Sequence, residues 1–170
     1  MSNNNYADVF DVVVIGAGFS GLYAIYKARQ LGMSVIALDM ASGVGGTWHW
    51  NRYPGARCDV ESMDYSYSFD DQLQQDWDWS ERYSAQPEIL DYINHVADRF
   101  NLRQYIQFKT KVVSAYWYDD SNVWDLETDQ GQHIKGNWCI FAVGCLSLPQ
   151  TPRFKDLEAF NGSWYHTGLW

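Results

Sequence analysis

The sequence predicts an α/β fold in which a mainly parallel sheet with covering helices is combined with a small antiparallel β-meander. Two runs of branched apolar residues flank a glycine-rich turn and a helical pattern, which is typical of parallel strands connected by a helix. Later in the chain, short strand-like segments are joined by turns rich in Asp, Asn and Gly, and such turns favour antiparallel pairing.

The first strand, helix and second strand are the clearest elements. Residues 12–15 form a β-branched run, and apolar residues recur at helical spacing from Leu22 to Leu31 before Gly32 ends the helix. Residues 34–38 form a second apolar run that is closed by Asp39. A strand–helix–strand unit of this kind makes a right-handed crossover between parallel strands.

The middle of the chain changes from irregular to helical. Residues 41–87 lack a clean period, and long irregular stretches inside compact domains are usually functional. A helix is predicted after Pro87, which suits a first helical turn. A short strand is predicted over residues 105–108. The apolar face of the helix consists of Ile89, Leu90, Ile93, Val96, Ala97 and Phe100.

The meander is predicted from strands over residues 112–118, 123–128 and 132–135. A separate buried strand is expected over residues 138–143. Pro149 and Pro152 then indicate a linker, so we divide the chain into a domain over residues 1–148 and a linker over residues 149–170.

Composition and charge limit the partners. The 170 residues suffice for one domain, and 46% of them are hydrophobic, as in globular proteins. The formal net charge of −9 argues against binding to nucleic acid or to an anionic membrane. The longest nearly apolar runs are eight residues, whereas a membrane-spanning helix needs roughly 20.

The N-terminus and the cysteines predict the compartment. The first residues, MSNNN, carry no positive charge and lead into no apolar signal segment, so we expect a protein that is not exported. Cys58, Cys139 and Cys145 lack the spacing of a metal site, which predicts no bound metal and fits a reducing cytoplasm. Cys139 and Cys145 lie in an apolar stretch and are expected to be buried thiols.

The turn after the first strand carries the spacing G-x-G-x-x-G, which predicts a dinucleotide site. Gly16 permits the tight turn, Gly18 lets a pyrophosphate approach the backbone, and Gly21 allows close packing of helix on strand. The phosphates would lie at the positive end of the helix. Asp39, 18 residues beyond Gly21, is placed to accept hydrogen bonds from ribose hydroxyls. The alternative is a glycine turn that only packs, and the motif alone does not distinguish FAD from NAD.

Three further motifs resemble those of one enzyme family. Residues 43–48 read GVGGTW, and residues 51–62 read NRYPGARCDVES. Residues 160–170 match the fingerprint F-x-G-x-x-x-H-x-x-x-W at Phe160, Gly162, His166 and Trp170. Together they resemble the Baeyer–Villiger monooxygenases, a branch of the flavin-dependent monooxygenases with two dinucleotide-binding domains. The resemblance implies a Rossmann-like FAD-binding domain.

The resemblance also implies roles for individual residues. Asp59 matches an active-site aspartate that lies beside the flavin and orients a catalytic arginine; the alternative is a turn aspartate that binds its own backbone. His166 matches a linker histidine that couples domain movement to catalysis. The residues expected to contact the cofactors are Gly16, Gly18, Phe19, Ser20, Gly21, Asp39, Gly46, Thr47, Trp48, Arg57, Asp59, Tyr65 and Val112.

The implied reaction uses NADPH and O₂ to insert one oxygen atom into a ketone, giving an ester or a lactone. The second glycine fingerprint, for NADPH, and the catalytic arginine of the family are not in this sequence. We therefore expect an N-terminal, FAD-binding part that is inactive alone and that self-associates through an incompletely covered core. Two alternatives stay open: a monooxygenase that oxidises nitrogen or sulfur, and a flavin-binding module without catalysis.

Overall fold

A six-stranded mixed sheet organises residues 9–170, which are the residues that this computed structural model describes. Residues 1–8 of the predicted domain 1–148 lie outside the described residues. The strands are β1 (Phe10–Ile15), β2 (Val35–Leu38), β3 (Ile106–Gln107), β4 (Val112–Tyr118), β5 (Val123–Thr128) and β6 (His133–Phe141). Their spatial order is β3-β2-β1-β6-β5-β4.

The helices are α1 (Phe19–Gln30), α2 (Thr47–Trp50), α3 (Asp71–Gln75) and α4 (Gln86–Arg99). The predicted strand–helix–strand unit is confirmed, because β1 and β2 are parallel and α1 lies between them in the chain. The predicted stop at Gly32 is also confirmed: its φ is 73° and its N–H donates to the Arg29 carbonyl at 3.0 Å.

One face of the sheet carries the larger core. The β1 residues Val12 and Val14, which share one face of the sheet, pack with α1 and α4. The predicted apolar face of α4 is confirmed by the burial of Ile89, Ile93 and Val96. The opposite face of the sheet holds a smaller cluster, made by Val13, Leu38 and Leu126. Between β2 and α4 the regular structure consists of the short helices α2 and α3 and a 3-10 turn over Ser62–Tyr65.

The third strand of the predicted meander and the predicted last strand are one continuous strand, β6. The expectation of two separate strands over residues 132–135 and 138–143 was therefore wrong. The first half of β6 pairs antiparallel with β5, and the second half pairs parallel with β1. Gly136 is the residue at the change, since it pairs with both Phe10 and Trp124. A Cβ at Gly136 would lie 2.6 Å from Cγ2 of Val13, so glycine keeps the strand continuous across the core.

The second half of β6 is not buried as predicted. The side chains of Trp138 and Ile140 are 66% and 40% exposed. Their register partners in β1, Val12 and Val14, are buried, because α1 and α4 lie over β1 and β2. No element within residues 9–170 covers β6 in the same way. The sheet therefore changes from covered to open between two neighbouring strands.

The segment after β6 contains two short 3-10 turns, Leu157–Ala159 and Thr167–Leu169, as its regular structure. This fits a linker over residues 149–170, although the boundary at residue 148 stays a prediction. Of the helices within residues 9–170, none is both long enough and apolar enough to cross a membrane.

The prediction of buried thiols is wrong for Cys145, which is exposed, while Cys139 is half-buried. Burial raises the pKa of the Cys139 thiol to about 11. At pH 8 only about 0.1% of a thiol with that pKa is the reactive thiolate.

We expect the two thiols to react with an aromatic disulfide reagent at very different rates at pH 8. Cys145 should be modified quickly because solvent reaches it, and Cys139 slowly because little of it is ionised. The Cys145→Ser variant should lose the fast phase, whereas Cys139→Ser should keep it. Equal rates at both thiols would contradict the burial of Cys139.

Candidate functional site

The glycine turn between β1 and α1 is closed by steric contacts. The Gly16 N–H donates to the Leu38 carbonyl at 2.9 Å and its φ is 106°. A Cβ at Gly16 would lie 2.5 Å from the Ala142 carbonyl oxygen, and a Cβ at Gly21 would lie 2.0 Å from the Gly16 carbonyl oxygen. Neither position accepts a side chain without movement of the backbone.

The glycines of the second motif approach this turn closely. The Gly45 N–H donates to the Ala17 carbonyl at 3.1 Å, and Gly46 has a φ of 53°. A Cβ at Gly46 would be 3.1 Å from the Cα of Gly18. Two stretches of bare backbone thus lie side by side at the start of α1, which leaves room for a ligand beside their N–H groups.

Asp39 connects the glycine turn after β1 to the residues that follow β2. Its carboxylate is buried, with Oδ2 accepting from the Ala17 N–H at 2.6 Å and Oδ1 accepting from the Ala41 N–H at 2.7 Å. The Asp39 carbonyl accepts from the Thr110 N–H at 2.9 Å. Asp39 therefore braces the site in addition to the predicted ribose contact, for which each carboxylate oxygen keeps a second lone pair.

Two cavities adjoin along this turn. The first has a volume of about 180 Å³ and the second about 420 Å³. Both are lined by Gly18, Gly46, Ala142, Val143 and Ser147. The first extends towards Asp39 and Val112, and the second towards Thr47, Trp48 and Tyr65. The arrangement is an elongated cleft at the carboxyl ends of β1 and β2, where ligands bind in open α/β sheets.

The structure brings most of the predicted cofactor residues together around this cleft. Those that line one or both cavities are Gly16, Gly18, Phe19, Ser20, Asp39, Gly46, Thr47, Trp48, Tyr65 and Val112. Gly21 does not line the cleft but supports the turn. Arg57 and Asp59 do not line it either.

Tyr65 forms an aromatic corner in the second cavity. Its ring meets those of Phe19 and Trp48 edge-on, with centroids 5.4 and 5.5 Å away. Burial raises the pKa of the Tyr65 hydroxyl, and the nearby Cys58 and Asp59 raise it further. The hydroxyl is therefore a neutral hydrogen-bonding group at physiological pH.

The loop that carries Arg57 and Asp59 is held from outside the cleft. The Arg57 guanidinium binds Glu81 Oε2 at 3.0 Å and the Tyr83 carbonyl at 2.8 Å. Asp59 is exposed to solvent. Asp59 is thus open to a ligand or a domain that approaches from the solvent side, whereas Nη1 of Arg57 already has partners within this chain. The cleft wall itself is made by other residues.

The sequence did not identify the loop after β6 as a part of the site. The loop over residues 143–148 contributes Val143 and Ser147 to both cavities. Asn51 Nδ2 ties this loop to α2 by donating to the Leu146 carbonyl at 2.9 Å. The first cavity is also lined by Trp50 and Lys111. The signal that could have found the loop is topological: it follows a parallel strand that neighbours β1, at the edge where ligands bind.

The fingerprint residues form a separate, exposed segment. His166 Nδ1 accepts from the Gly168 N–H at 3.0 Å, which leaves Nε2 to donate to the Gln150 carbonyl at 3.1 Å. A Cβ at Gly162 would lie 2.4 Å from the Phe160 ring, so glycine makes room for that ring. Trp170 packs near Tyr165, with ring centroids 5.8 Å apart.

Residues 10–168 match the flavin-binding monooxygenase-like family. The chain is 48% identical to a Baeyer–Villiger monooxygenase of Pseudooceanicola batsensis and 46% identical to a phenazine N-monooxygenase of Lysobacter antibioticus. Each of these alignments covers 95% of this chain and 30% of the relative. The chain thus spans about a third of the length of the curated relatives that it matches.

Solved structures give the same result. A steroid monooxygenase bound to NADP superposes with a TM-score of 0.88 at 53% identity, over 96% of this chain and 31% of that one. The α/β fold class predicted from the sequence is confirmed, and so is the resemblance predicted from the three motifs.

We expect Asp39→Asn to destabilise the protein by about 1–3 kcal/mol, because an amide has one acceptor for two buried N–H donors and turns its own N–H₂ towards the other. Urea unfolding measures the change. The matched control is Asp70→Asn, whose carboxylate accepts one N–H, from Leu73 at 2.7 Å, as the N-cap of α3, and lies 3.8 Å from the Arg99 guanidinium in a partly exposed ion pair. Because Asn caps helices as well as Asp, this variant should lie close to the wild type. Equal losses in both variants would show that Asp39 is not a brace.

Proposed function

This chain belongs to the flavin-binding monooxygenase-like family, and from that membership we propose that residues 1–148 are the FAD-binding part of a Baeyer–Villiger monooxygenase. The whole enzyme would use NADPH and O₂ to convert a ketone into an ester or a lactone. The observation that carries the proposal is the pair of adjoining cavities on the glycine turn, lined by the residues that the motifs predicted.

The shape and chemistry of the cleft fit FAD. Asp39 and Val112 would hold the adenosine in the first cavity, and Thr47, Trp48 and Tyr65 would line the flavin in the second. The pyrophosphate would lie between them at Gly18, at the positive end of α1. The first turn of α1 contains no acidic residue that would repel it.

The chemical contributions of the chain follow from these positions. Bound FAD would supply the redox chemistry, and the protein would supply binding, orientation and exclusion of water. Trp48 and Tyr65 present apolar ring faces and one neutral hydroxyl to the cavity. Asp59, which is exposed to solvent, would pair with a cationic group from the rest of the enzyme, and Arg57 would contact NADPH.

The fingerprint segment would connect this domain to a second one. Its aromatic side chains are exposed, with Phe160 and Trp170 each 58% accessible, which suits contact with a neighbouring domain. His166 bridges the Gln150 carbonyl and the Gly168 N–H and would thereby fix the path of the linker. A cytoplasmic location is supported by the three free cysteines.

A second candidate function is oxidation of a ring nitrogen. It is favoured by one observation, the 46% identity to a phenazine N-monooxygenase. Both candidates use the same cleft, so the product distinguishes them in the whole protein. An ester or a lactone from a ketone supports the first, and an N-oxide as sole product supports the second.

We expect the purified chain to retain FAD after incubation and removal of the free cofactor, with a visible absorption band whose shape differs from that of free FAD. The reason is that ten of the thirteen predicted cofactor residues line the two cavities. The control is Gly18→Val, which fills the space beside Gly46 and should remove the band. A colourless wild type would contradict a complete FAD site in this chain.

The open face of β6 supports a further proposal, that the isolated chain self-associates. Two exposed apolar side chains, those of Trp138 and Ile140, lie on the same face of this strand. Contiguous apolar surface of this kind is uncommon on monomeric proteins, and burying it in a second copy removes it from water.

We expect the mass from light scattering to rise with protein concentration, and Ile140→Asp to shift the protein towards the monomer. The matched control is Leu31→Asp, which adds the same charge at a single exposed residue after α1 that is 72% accessible. A wild type that stays monomeric over the whole concentration range would refute the proposal, as would an equal effect of both variants.

A further inference from the structure

Gln86 occupies a position between the two parts of the proposed site. It is the first residue of α4, and its side chain is buried with 7% of its surface exposed. Its Nε2 donates to the Trp48 carbonyl at 2.6 Å, and its backbone N–H donates to the Ala56 carbonyl at 2.8 Å. One residue therefore holds the turn that lines the flavin cavity and the start of the loop that carries Arg57 and Asp59.

The Trp48 carbonyl needs this partner. The helix α2 has four residues, too few to satisfy its own carbonyls. The Gly46 and Thr47 carbonyls accept from Trp50 and Asn51, whereas the Trp48 carbonyl accepts from Gln86. Because the bond is buried, water cannot easily replace it when Gln86 is lost.

The backbone around Gln86 is also bonded to the loop that carries Arg57 and Asp59. Ala85 forms a β-bridge with Arg57, and the Cys58 N–H donates to the Ser84 carbonyl at 3.1 Å. Residues 84–86 thus pair with residues 56–58 as a short ladder. The side chain of Gln86 leaves that ladder towards α2, so the separation between Trp48 and the loop depends on its length.

We propose that Gln86 is a positioning residue, which sets the distance between the flavin-lining turn and the Arg57–Asp59 loop. It touches neither substrate nor reacting atoms and acts through Trp48 and Ala56. The consequence for FAD rests on the proposed function, whereas the consequence for the two backbone segments does not.

The test compares Gln86→Met, which keeps the length and removes the donor, with Gln86→Asn, which keeps an amide that is one methylene too short. The matched control is Asn94→Leu, which removes another bond from a side-chain amide on α4 to a carbonyl, that of Leu90 at 2.7 Å, together with the bond that Asn94 Oδ1 accepts from Arg103 at 2.6 Å. Hydrogen exchange without FAD reports on residues 47–51 and 56–59. FAD titration and the visible spectrum of the bound cofactor report on the cleft.

Both Gln86 variants should exchange about tenfold faster in the two segments and not in the sheet, because one buried bond of this kind is lost from each variant. They should also bind FAD about tenfold more weakly, with a shifted visible band, while Asn94→Leu changes neither property. If one Gln86 variant does not fold, the other provides the comparison.

Wild-type exchange in both segments would overturn the proposal, and so would faster exchange spread over the whole chain. A wild type that does not retain FAD would refute the proposed function of this chain. In that case, faster exchange confined to the two segments would still support the role of Gln86, because that measurement is made without the cofactor.

Discussion

The site depends on the close approach of backbone segments at the carboxyl ends of β1, β2 and β6. Parallel pairing of β1 with β6 places Gly16 against the Ala142 carbonyl, and the same turn brings Gly18 against Gly46. A side chain at Gly16 or Gly46 would force the segments apart. The absence of Cβ atoms therefore determines both the turn and the space beside it. Asp39 then fixes this arrangement with two short bonds to backbone N–H groups.

The sheet explains why one edge of the site is well supported and the other is open. Residues of β1 and β2 are covered by α1 and α4, so the glycine turn is built on a packed core. The loop after β6 follows a strand whose side chains Trp138 and Ile140 face solvent. Its link to the rest of the cleft is polar, through Asn51 and the Leu146 carbonyl. Covering β6 would bury the apolar surface and at the same time stabilise this wall of the cleft.

The sequence predicted the elements whose signals are local. The strand before Gly16, the helix that ends at Gly32 and the apolar face of α4 each follow from a period or a cap within one segment. The predictions were wrong where a strand boundary or the burial of a side chain depends on residues that are distant in the sequence. The junction at Gly136 is set by contact with Val13 rather than by a turn signal, so two predicted strands became one. Likewise, the exposure of Trp138 depends on which elements cover β6. The apolar character of this residue alone does not predict whether such a cover exists.

The candidate site divides in the same way. The glycines, Asp39 and the residues of α2 were predicted because their spacing along the chain reflects the turn that they make. The loop over residues 143–148 contains no such motif, and it contributes to the site only because of where β6 ends. The irregular stretch between β2 and α4 extends this argument. It has no apolar period with which to specify its path. It packs both through apolar side chains, such as Leu73 against Tyr92 and Val96, and through polar bonds between buried groups, such as that between Ser62 and Ser84. Such bonds are directional and have narrow distance limits, so they fix a geometry more tightly than apolar contacts of equal area. A stretch without periodicity can therefore be as well defined as the core, and for that reason it suits a wall that must hold a flat ligand in one orientation.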